Sequence, residues 1–456
     1  MGFRHRSGSL SPFTALAVAL GFALLLTTAA ALAALPPYGN HGQVVTAFRG
    51  SQVQVAGVAG YGGGKMLVAG TVTSGVGTPS RHDDDEDFLV ARYLASGRLD
   101  PSFGEGGIVR TDLGSDEQAT DIKVDPLGKI LVSGYEDLFP REVRDQEALV
   151  ARYTGAGQLD RSFGDGGIAR AGKGGALAVA FDRSSHVLLA GGTALDAADT
   201  ENPWRIVRLT HTGALDPSFG GGDGEVTGFA GGQSNLATDL TTDPQGRVDF
   251  AVCGQSAQAP PVFTVGRLDS DGSLDGSFNE GGTLRISLGG APACPHAILR
   301  DQRGRIVVAG NAKHRLVVGR LLEDGTLDPS YGKGGIASPL YSRSNVRLGR
   351  LAIDGRNRVV LAGRIAPTFR QIVRGSHYPA RMLLTRLRAD GRPDRRFGGD
   401  GSVAVHFGKD KACDAQAADV TIFESVVYAA GTVLPHRSSC PPPRLALTRY
   451  PPGPPR

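Results

Sequence analysis

The sequence has little of what a helical core or a nucleic-acid-binding surface requires. Only one of its 456 residues is Trp, three are Met and 6% are aromatic, whereas 66 are Gly and 27 are Pro. So many turn-forming residues argue against a helical bundle and favour many short strands. The formal net charge is only +4 and Lys and Arg form no stripe, so nucleic acid is not an expected partner.

Catalytic signatures are also missing. The chain has no H-E-x-x-H helix, no G-x-S-x-G elbow and no C-x-x-C pair, which argues against zinc, α/β-hydrolase and thioredoxin-like chemistry. The stretch "GIARAGKG" at 167–174 resembles a phosphate-binding loop, but Gly174 stands where Ser or Thr is needed. We therefore expect no cofactor of these kinds. An enzyme is disfavoured, although a site assembled from distant loops leaves no linear motif.

The one long hydrophobic run, residues 13–35, follows a basic start that includes Arg4. Ala31 and Ala33 give the run a small-x-small end, which predicts a cleaved signal peptide over 1–33. The alternative is an uncleaved membrane anchor, because the run could span a bilayer at roughly 20 residues. Both readings predict a secreted, periplasmic or cell-surface protein, with a membrane contact only if the leader is retained.

What the chain has in abundance is one turn, which reads "LDPSFGEGG" at 99–107 and returns with small changes. Its Asp can accept a backbone N–H, and its glycines allow positive φ. We expect its aromatic ring to enter the space between two neighbouring repeats, where a large ring buries well. Successive rings are 53–66 residues apart, at Tyr38, Phe103, Phe163, Phe219, Phe278, Tyr331 and Phe397.

Each repeat contains four predicted strands. In the second unit they cover 107–113, 119–125, 129–135 and 148–154. The second and third of these are joined by "DPLG", a tight β-hairpin turn. Seven such units without helical periodicity predict an all-β fold, a seven-bladed β-propeller of four-stranded blades over 36–450, followed by a Pro-rich tail at 451–456.

The two ends of the repeat region carry complementary strands. Residues 42–48 resemble the strand that follows each turn, and residues 444–450 resemble the strand that precedes it. We therefore favour a ring closed by pairing 42–48 with the last blade, at 415–450, which also removes an exposed sheet edge. Seven contiguous blades are the alternative.

Four cysteines permit three connectivities, and an oxidising compartment favours two disulfides. In the closed ring, the cysteines of neighbouring strands and loops share one face of the disc. Short spans then favour the pairs Cys253–Cys294 and Cys413–Cys440.

The recurring pattern "LVARYxxxGxLDxSFGxGGIxxxxxGxxxxAxxIxVDxxGKILVxG" resembles the bacterial delta-60 repeat, a family of predicted β-propellers. The resemblance extends from about Pro36 to Tyr450. It departs from the pattern at "DRSSH", which lacks the hairpin Gly, and at "PDRRF", which replaces Leu and Ser. The resemblance implies an extracytoplasmic propeller and implies no particular activity or catalytic residue.

Two acidic stretches are candidate calcium sites, because calcium prefers six to eight oxygen ligands. In "HDDDED" the candidate ligands are Asp83, Asp84, Asp85 and Asp87. Consecutive residues of an extended strand point to opposite sides, so we favour a solvated acidic loop over a calcium site. The second stretch, "DSDGSLD" at 269–275, lacks the Glu ligand of a calcium loop and is interpreted as turn chemistry.

One Arg per repeat precedes the turn. A ring of seven guanidinium groups could bind an anion, but a residue that recurs in every blade is better explained by pairing with a carboxylate of the scaffold. The seven are Arg92, Arg152, Arg208, Arg267, Arg320, Arg386 and Arg449.

These features predict a monomeric, non-catalytic module that binds an extracellular glycan or protein. The alternative is an extracellular carbohydrate-active hydrolase or lyase with carboxylates and Arg at the mouth of the central channel. A purely architectural spacer is a third, less favoured reading. The loops expected to carry binding join the second and third strands and should crowd one face, at 71–87, 135–147, 192–203, 364–380 and 432–444.

Overall fold

The computed structural model describes twelve stretches of the chain: 38–40, 42–48, 51–74, 85–137, 146–192, 202–230, 234–255, 261–339, 344–367, 379–407, 413–434 and 443–450. The leader at 1–33 and the tail at 451–456 lie outside them, so both stay predictions. Among the described residues, no helix is long and apolar enough to cross a membrane.

The described strands form seven four-stranded antiparallel sheets, which confirms the predicted seven-bladed propeller. The first strand, β1 (Gln43–Thr46), belongs to the last blade. Blade 1 contains β2 (Gln52–Tyr61), β3 (Lys65–Ser74), β4 (Asp85–Tyr93) and β5 (Ile108–Thr111). Blade 2 contains β6 (Asp116–Val124), β7 (Ile130–Asp137), β8 (Gln146–Tyr153) and β9 (Ile168–Lys173). Blade 3 contains β10 (Gly175–Phe181), β11 (Val187–Gly192), β12 (Trp204–Leu209) and β13 (Glu225–Gly228).

The remaining blades follow the same order. Blade 4 contains β14 (Ser234–Thr242), β15 (Val248–Gln255), β16 (Val262–Leu268) and β17 (Thr283–Ile286). Blade 5 contains β18 (Ala293–Arg300), β19 (Ile306–Ala312), β20 (Arg315–Leu321) and β21 (Ile336–Ala337). Blade 6 contains β22 (Ser344–Ile353), β23 (Val359–Pro367), β24 (Arg381–Leu387) and β25 (Ser402–Val405). A single 3-10 turn at Phe278–Glu280 is the helical content of the described residues.

Blade 7 is assembled from both ends of the repeat region. It contains β26 (Asp414–Phe423), β27 (Val426–Leu434) and β28 (Arg444–Tyr450), and β1 pairs with β28 as the outermost strand. Val45 lies opposite Ala446 in this antiparallel register. The exchanged-strand closure is therefore confirmed, and the alternative of seven contiguous blades is wrong.

The hydrophobic core is divided into seven clusters, one between each pair of neighbouring blades. Each cluster contains one of the repeated aromatic rings. Phe103 of blade 1, for example, is fully buried against Ile122 and Ile130 of blade 2. Because a wedge between two diverging sheets needs a large filler, one ring per repeat is the residue that this packing requires.

The disulfide Cys253–Cys294 joins β15 of blade 4 to β18 of blade 5, with the two Cα atoms 4.9 Å apart. This confirms the first predicted pair. Cys413, directly before β26, is also disulfide-bonded, whereas its predicted partner Cys440 lies outside the described residues.

The two faces of the disc differ because strands of a blade alternate in direction. The hairpins between first and second strands and the repeated turns between third and fourth strands lie on one face, called here the turn face. Connections from second to third strands leave from the opposite face, called here the loop face. The strands that flank all five predicted loops end and begin at the loop face, and the central residues of the loops lie outside the described stretches.

Candidate functional site

The repeated turn binds its own Arg. Arg208 donates from Nε to Asp216 Oδ2 at 2.7 Å and from Nη2 to Ser218 Oγ at 2.9 Å, and its guanidinium lies 4.5 Å from the centre of the Phe219 ring. Its Nη1 donates to the carbonyl of Ser270 in the next blade. Burial alone would raise the pKa of Asp216, but the hydrogen bonds from Ser218 and the charge of Arg208 lower it.

The same geometry recurs around the ring with small variations. Arg267 donates from Nε to Asp249 Oδ1 at 2.7 Å and lies 3.7 Å from Asp275 of its own turn. Arg449 lies over the Tyr38 ring, which the first residues of the described chain supply. All seven arginines lie on third strands, away from the channel, so their geometry fits the scaffold reading and not a ring around one anion.

The channel is lined by the seven first strands, each of which has a β-bulge at its middle. The bulge frees a backbone N–H from the ladder and turns the following residue inward. That residue lies at one equivalent position in all blades but differs among them, unlike the repeated turn: Gly57, Asp121, Ala178, Asp239, Ala297, Arg350 and Asp419.

Each of the three aspartates at this position bridges to the next blade. Asp121, Asp239 and Asp419 accept hydrogen bonds from the backbone N–H groups of Val179, Ile298 and Val58, at 3.2, 2.8 and 2.8 Å respectively. The carboxylates therefore satisfy N–H groups of the innermost strands, which have no neighbouring strand of their own sheet on the channel side. They tie blade 2 to blade 3, blade 4 to blade 5, and blade 7 to blade 1.

Two cations balance these carboxylates. Lys123 lies 2.8 Å from both carboxylate oxygens of Asp121. Arg350 of blade 6 crosses the channel and donates from Nη2 to the carbonyl of Leu177 in blade 3 at 2.9 Å, while its Nη1 lies 2.9 Å from Asp239 Oδ1. Such a reach is possible only through the middle of the ring.

The pKa values of the channel groups reflect burial and charge together. Burial raises the pKa of Asp419 to about 6, with a further contribution from the nearby Asp121, although Lys123 opposes the rise. Burial, followed by the charges of Arg350 and Arg347, lowers the pKa of the bulge residue His296 to about 4. The imidazole is therefore neutral at physiological pH.

A second group of carboxylates lies on the loop face of blades 1 and 2. Asp116 and Asp137 are cross-strand neighbours, and the backbone N–H of Glu86 donates to Asp116 Oδ1 at 3.3 Å. Burial raises the pKa of Glu86 and of Asp137. The charge of Asp116 adds to both shifts, and the charge of Asp137 adds to that of Glu86. Tyr135 donates from its hydroxyl to Gln118 Oε1 at 2.5 Å beside them.

Two of the four calcium candidates lie among the described residues. Asp83 and Asp84 lie outside the described residues, whereas Asp85 and Asp87 lie on β4. Carboxylate oxygens of Asp85, Asp87 and Asp112 lie within 4.8 Å of one another. Arg110 already pairs with Asp87 and, at 2.9 Å, with Asp85, so a cation of the chain serves these carboxylates. The preference for a solvated acidic loop over a calcium site therefore stays a prediction.

Sequence reasoning missed Asp112, Lys123 and Arg350 as members of these groups. Asp112 directly follows β5, which pairs with β4. A predicted pairing of these two strands is the signal that could have placed Asp112 beside Asp85 and Asp87. Arg350 and Lys123 belong to no motif, because side chains from four blades meet only when the ring closes.

Parts of the chain match one known family model. Residues 64–103, 187–219 and 304–331 match the family model described as "Domain of unknown function (DUF5122) beta-propeller". The search of curated proteins returned no match.

Among solved structures, a streptogramin B lyase is 11% identical, covers 90% of this chain and 97% of its own, and has a TM-score of 0.47. An α-L-arabinofuranosidase from Fusarium graminearum is 14% identical over 74% of this chain and 93% of its own, with a TM-score of 0.43. YCF48 from Cyanidioschyzon merolae is 11% identical over 89% and 98%, with a TM-score of 0.42. Likenesses with TM-scores below 0.5 carry no argument about this chain.

Proposed function

We propose that the chain is a non-catalytic binding module that acts outside the cytoplasm and holds a glycan or protein through its loop face. The observation that carries this proposal is the use of the channel carboxylates. Asp121, Asp239 and Asp419 each accept a backbone N–H of the next blade, and Lys123 and Arg350 balance their charge. Groups committed in this way hold the ring together and do not form a free acid–base pair.

Two observations support the location. The leader pattern predicts export, and the disulfide between Cys253 and Cys294 is of the kind that persists in oxidising compartments. The predicted binding loops would then meet ligands outside the cytoplasm, on the face where the second strands end and the third strands begin.

The proposal is tested by a thermal-shift screen of residues 36–456 against a glycan library, with calcium and EDTA as separate additions. A ligand at 100 times its Kd should add about 2.7 kcal/mol to the free energy of unfolding. A shift with one sugar class, without turnover of that sugar, supports a glycan-binding module. If no glycan shifts the midpoint, a pull-down from the cell surface must yield a saturable protein partner; failure of both overturns the proposal.

A second candidate, a carbohydrate-active hydrolase or lyase, is favoured by the carboxylates of Glu86, Asp116 and Asp137. Two of them have raised pKa values, as a general acid needs. If a bound glycan is cleaved, Asp137→Asn and Glu86→Gln should each reduce kcat by about 100-fold or more, while the exposed control Asp165→Asn retains wild-type turnover. Unchanged turnover in both variants would remove this candidate.

A further inference from the structure

A pocket of about 250 Å³ lies between blades 3 and 4. One wall is formed by Trp204 and Val226 of blade 3, and the other by Val252, Thr264 and Arg285 of blade 4. Clefts that hold drug-sized ligands measure roughly 300–1,000 Å³. The pocket therefore suits a ligand portion of about one ring.

The blade 4 wall departs from the repeat at Thr264. This position, three residues before the repeated Arg, is buried in every blade, and its occupants are Leu89, Leu149, Arg205, Thr264, Val317, Leu383 and Ala446. Thr264 is 3% exposed, and its hydroxyl has no hydrogen-bond partner among the described residues. A buried hydroxyl without a partner is unfavourable, so its presence in the wall of a pocket points to a ligand group.

Arg285 differs from its equivalents in other blades by its contacts. It lies opposite Thr264 in the ladder, and the matching fourth-strand residues of blades 1 and 2 are Arg110 and Arg170. Arg110 pairs with Asp85 and Asp87, and Arg170 pairs with Glu136 at 2.6 Å. Arg285 is exposed and forms no ion pair or hydrogen bond with any described residue. Of three equivalent arginines, it is the one whose charge the described chain does not use.

The apolar residues of the pocket also differ from those of the other blades. Trp204 is the only Trp of the chain, and its ring lies 4.7 Å from that of Phe250. Phe229 and Leu274 are 56% and 50% exposed at the rim.

Val252 replaces a glycine that the other six blades carry at the matching second-strand position. In blade 2 that glycine is Gly134, where a Cβ would lie 2.0 Å from the carbonyl of Gln118. The pocket thus contains an added apolar side chain where the other blades have none.

We propose that this pocket binds a sugar ring that carries a carboxylate, such as a uronic acid of an acidic glycan. Arg285 donates to the carboxylate, Thr264 exchanges a hydrogen bond with a ring hydroxyl, and Trp204 and Phe229 pack against the apolar face of the ring. A neutral sugar would leave Arg285 without a partner, and an aromatic acid without hydroxyls would leave Thr264 without one. The assignment rests on the glycan arm of the proposed function and adds a site on the side of the disc.

The single Trp makes the test direct, because its fluorescence reports the occupancy of this pocket. Residues 36–456 are titrated with oligogalacturonate, with neutral oligogalactose and with sulfated oligogalactose, and the midpoint of thermal unfolding is recorded in parallel. We expect the Trp204 signal to change with oligogalacturonate and to need at least about tenfold more of either other sugar. Equal affinity for the three sugars overturns the assignment of a carboxylate.

Two variants separate the site from the fold. Arg285→Met should weaken binding of oligogalacturonate by about 10- to 100-fold, and Thr264→Val by about tenfold while the ligand-free protein becomes no less stable, because the variant buries no hydroxyl. Arg303→Met, which changes an exposed Arg of blade 5, is the matched control and should bind as the wild type does. Unchanged affinity in both site variants overturns this inference.

The outcomes also separate the site from the proposed function. If a glycan stabilises the protein but neither Arg285→Met nor Thr264→Val affects its binding, the binding module stands and this pocket is not its site. If no glycan stabilises the protein and no protein partner is captured, the proposed function and this inference both fail.

Discussion

Two positions of each third strand, three residues apart, follow opposite rules. Near the turn face the second-to-last residue of the strand is Arg in all seven blades, and in five of them its Nε donates to the Asp of the repeated turn. Three residues earlier, the buried position carries Leu, Arg, Thr, Val or Ala. A turn that is made seven times keeps the same Arg with small variations in its partners, whereas a wall between two particular blades needs only to suit its own neighbours. Departures from the repeat at such walls are therefore the places to look for function.

The largest expected effect comes from breaking the repeated turn. Arg92 is buried, donates from Nε to Asp100 Oδ2 at 2.8 Å and lies 4.6 Å from the centre of the Phe103 ring. Arg92→Met leaves Asp100 buried with Lys65 as its remaining cation, and we expect the free energy of unfolding to fall by about 3–5 kcal/mol. Denaturant unfolding measures this loss. Arg98→Met, in the exposed part of the same turn, should stay within about 0.5 kcal/mol of wild type; equal effects of the two changes would contradict the comparison.

The channel should be the more tolerant region, because Arg350 is needed in one blade only. Arg350→Met removes the partner of Asp239 and a donor to the Leu177 carbonyl, and we expect a loss of about 1–3 kcal/mol at pH 7. The loss should shrink towards pH 4, since burial has already raised the pKa of Asp239 and protonation relieves its uncompensated charge. Thermal unfolding at the two pH values checks this, with the exposed neighbour Arg347→Met as control. A loss that grows on acidification would count against the ion pair.

The smallest expected effect on stability comes from Glu117, a carboxylate of β6 in blade 2. It depends on pH, whereas the repeated turn should stabilise the fold at every pH near neutral. Burial raises the pKa of Glu117 to about 7, with the charge of Asp87 adding to the shift. The folded state then holds this proton more tightly than the unfolded state, so Glu117 costs stability as pH rises from about 4.5 through 7. Glu117→Gln should match wild type near pH 5 and gain stability near pH 8. The midpoint of thermal unfolding at the two pH values measures this difference, and the exposed control Glu105→Gln should show no such trend. If Glu117→Gln gained the same stability at both pH values, titration of Glu117 would not be the cause.

Much of the fold could be predicted from the chain, because each repeat carries the turn and strand pattern of one blade. Seven aromatic turns implied seven blades, and the complementary strands at 42–48 and 444–450 implied the exchanged closure that the pairing of β1 with β28 confirms. The Cys253–Cys294 pair followed from the same phase. The candidate sites could not be predicted in this way, since Thr264, Arg285 and Trp204 belong to different strands of two blades and to no motif.

The chain alone is enough to deduce the number of blades, the phase of each strand and the residues that fill the wedges between them. These follow from local turn chemistry and side-chain period, which each repeat carries in full. The folded ring is needed to show that Arg350 reaches Asp239 across the channel and that Asp112 lies beside Asp85 and Asp87. It is also needed to show that the Thr264 hydroxyl has no hydrogen-bond partner among the described residues. Such contacts depend on where separate blades stand when the ring closes, and no local pattern encodes a distance between side chains of different blades.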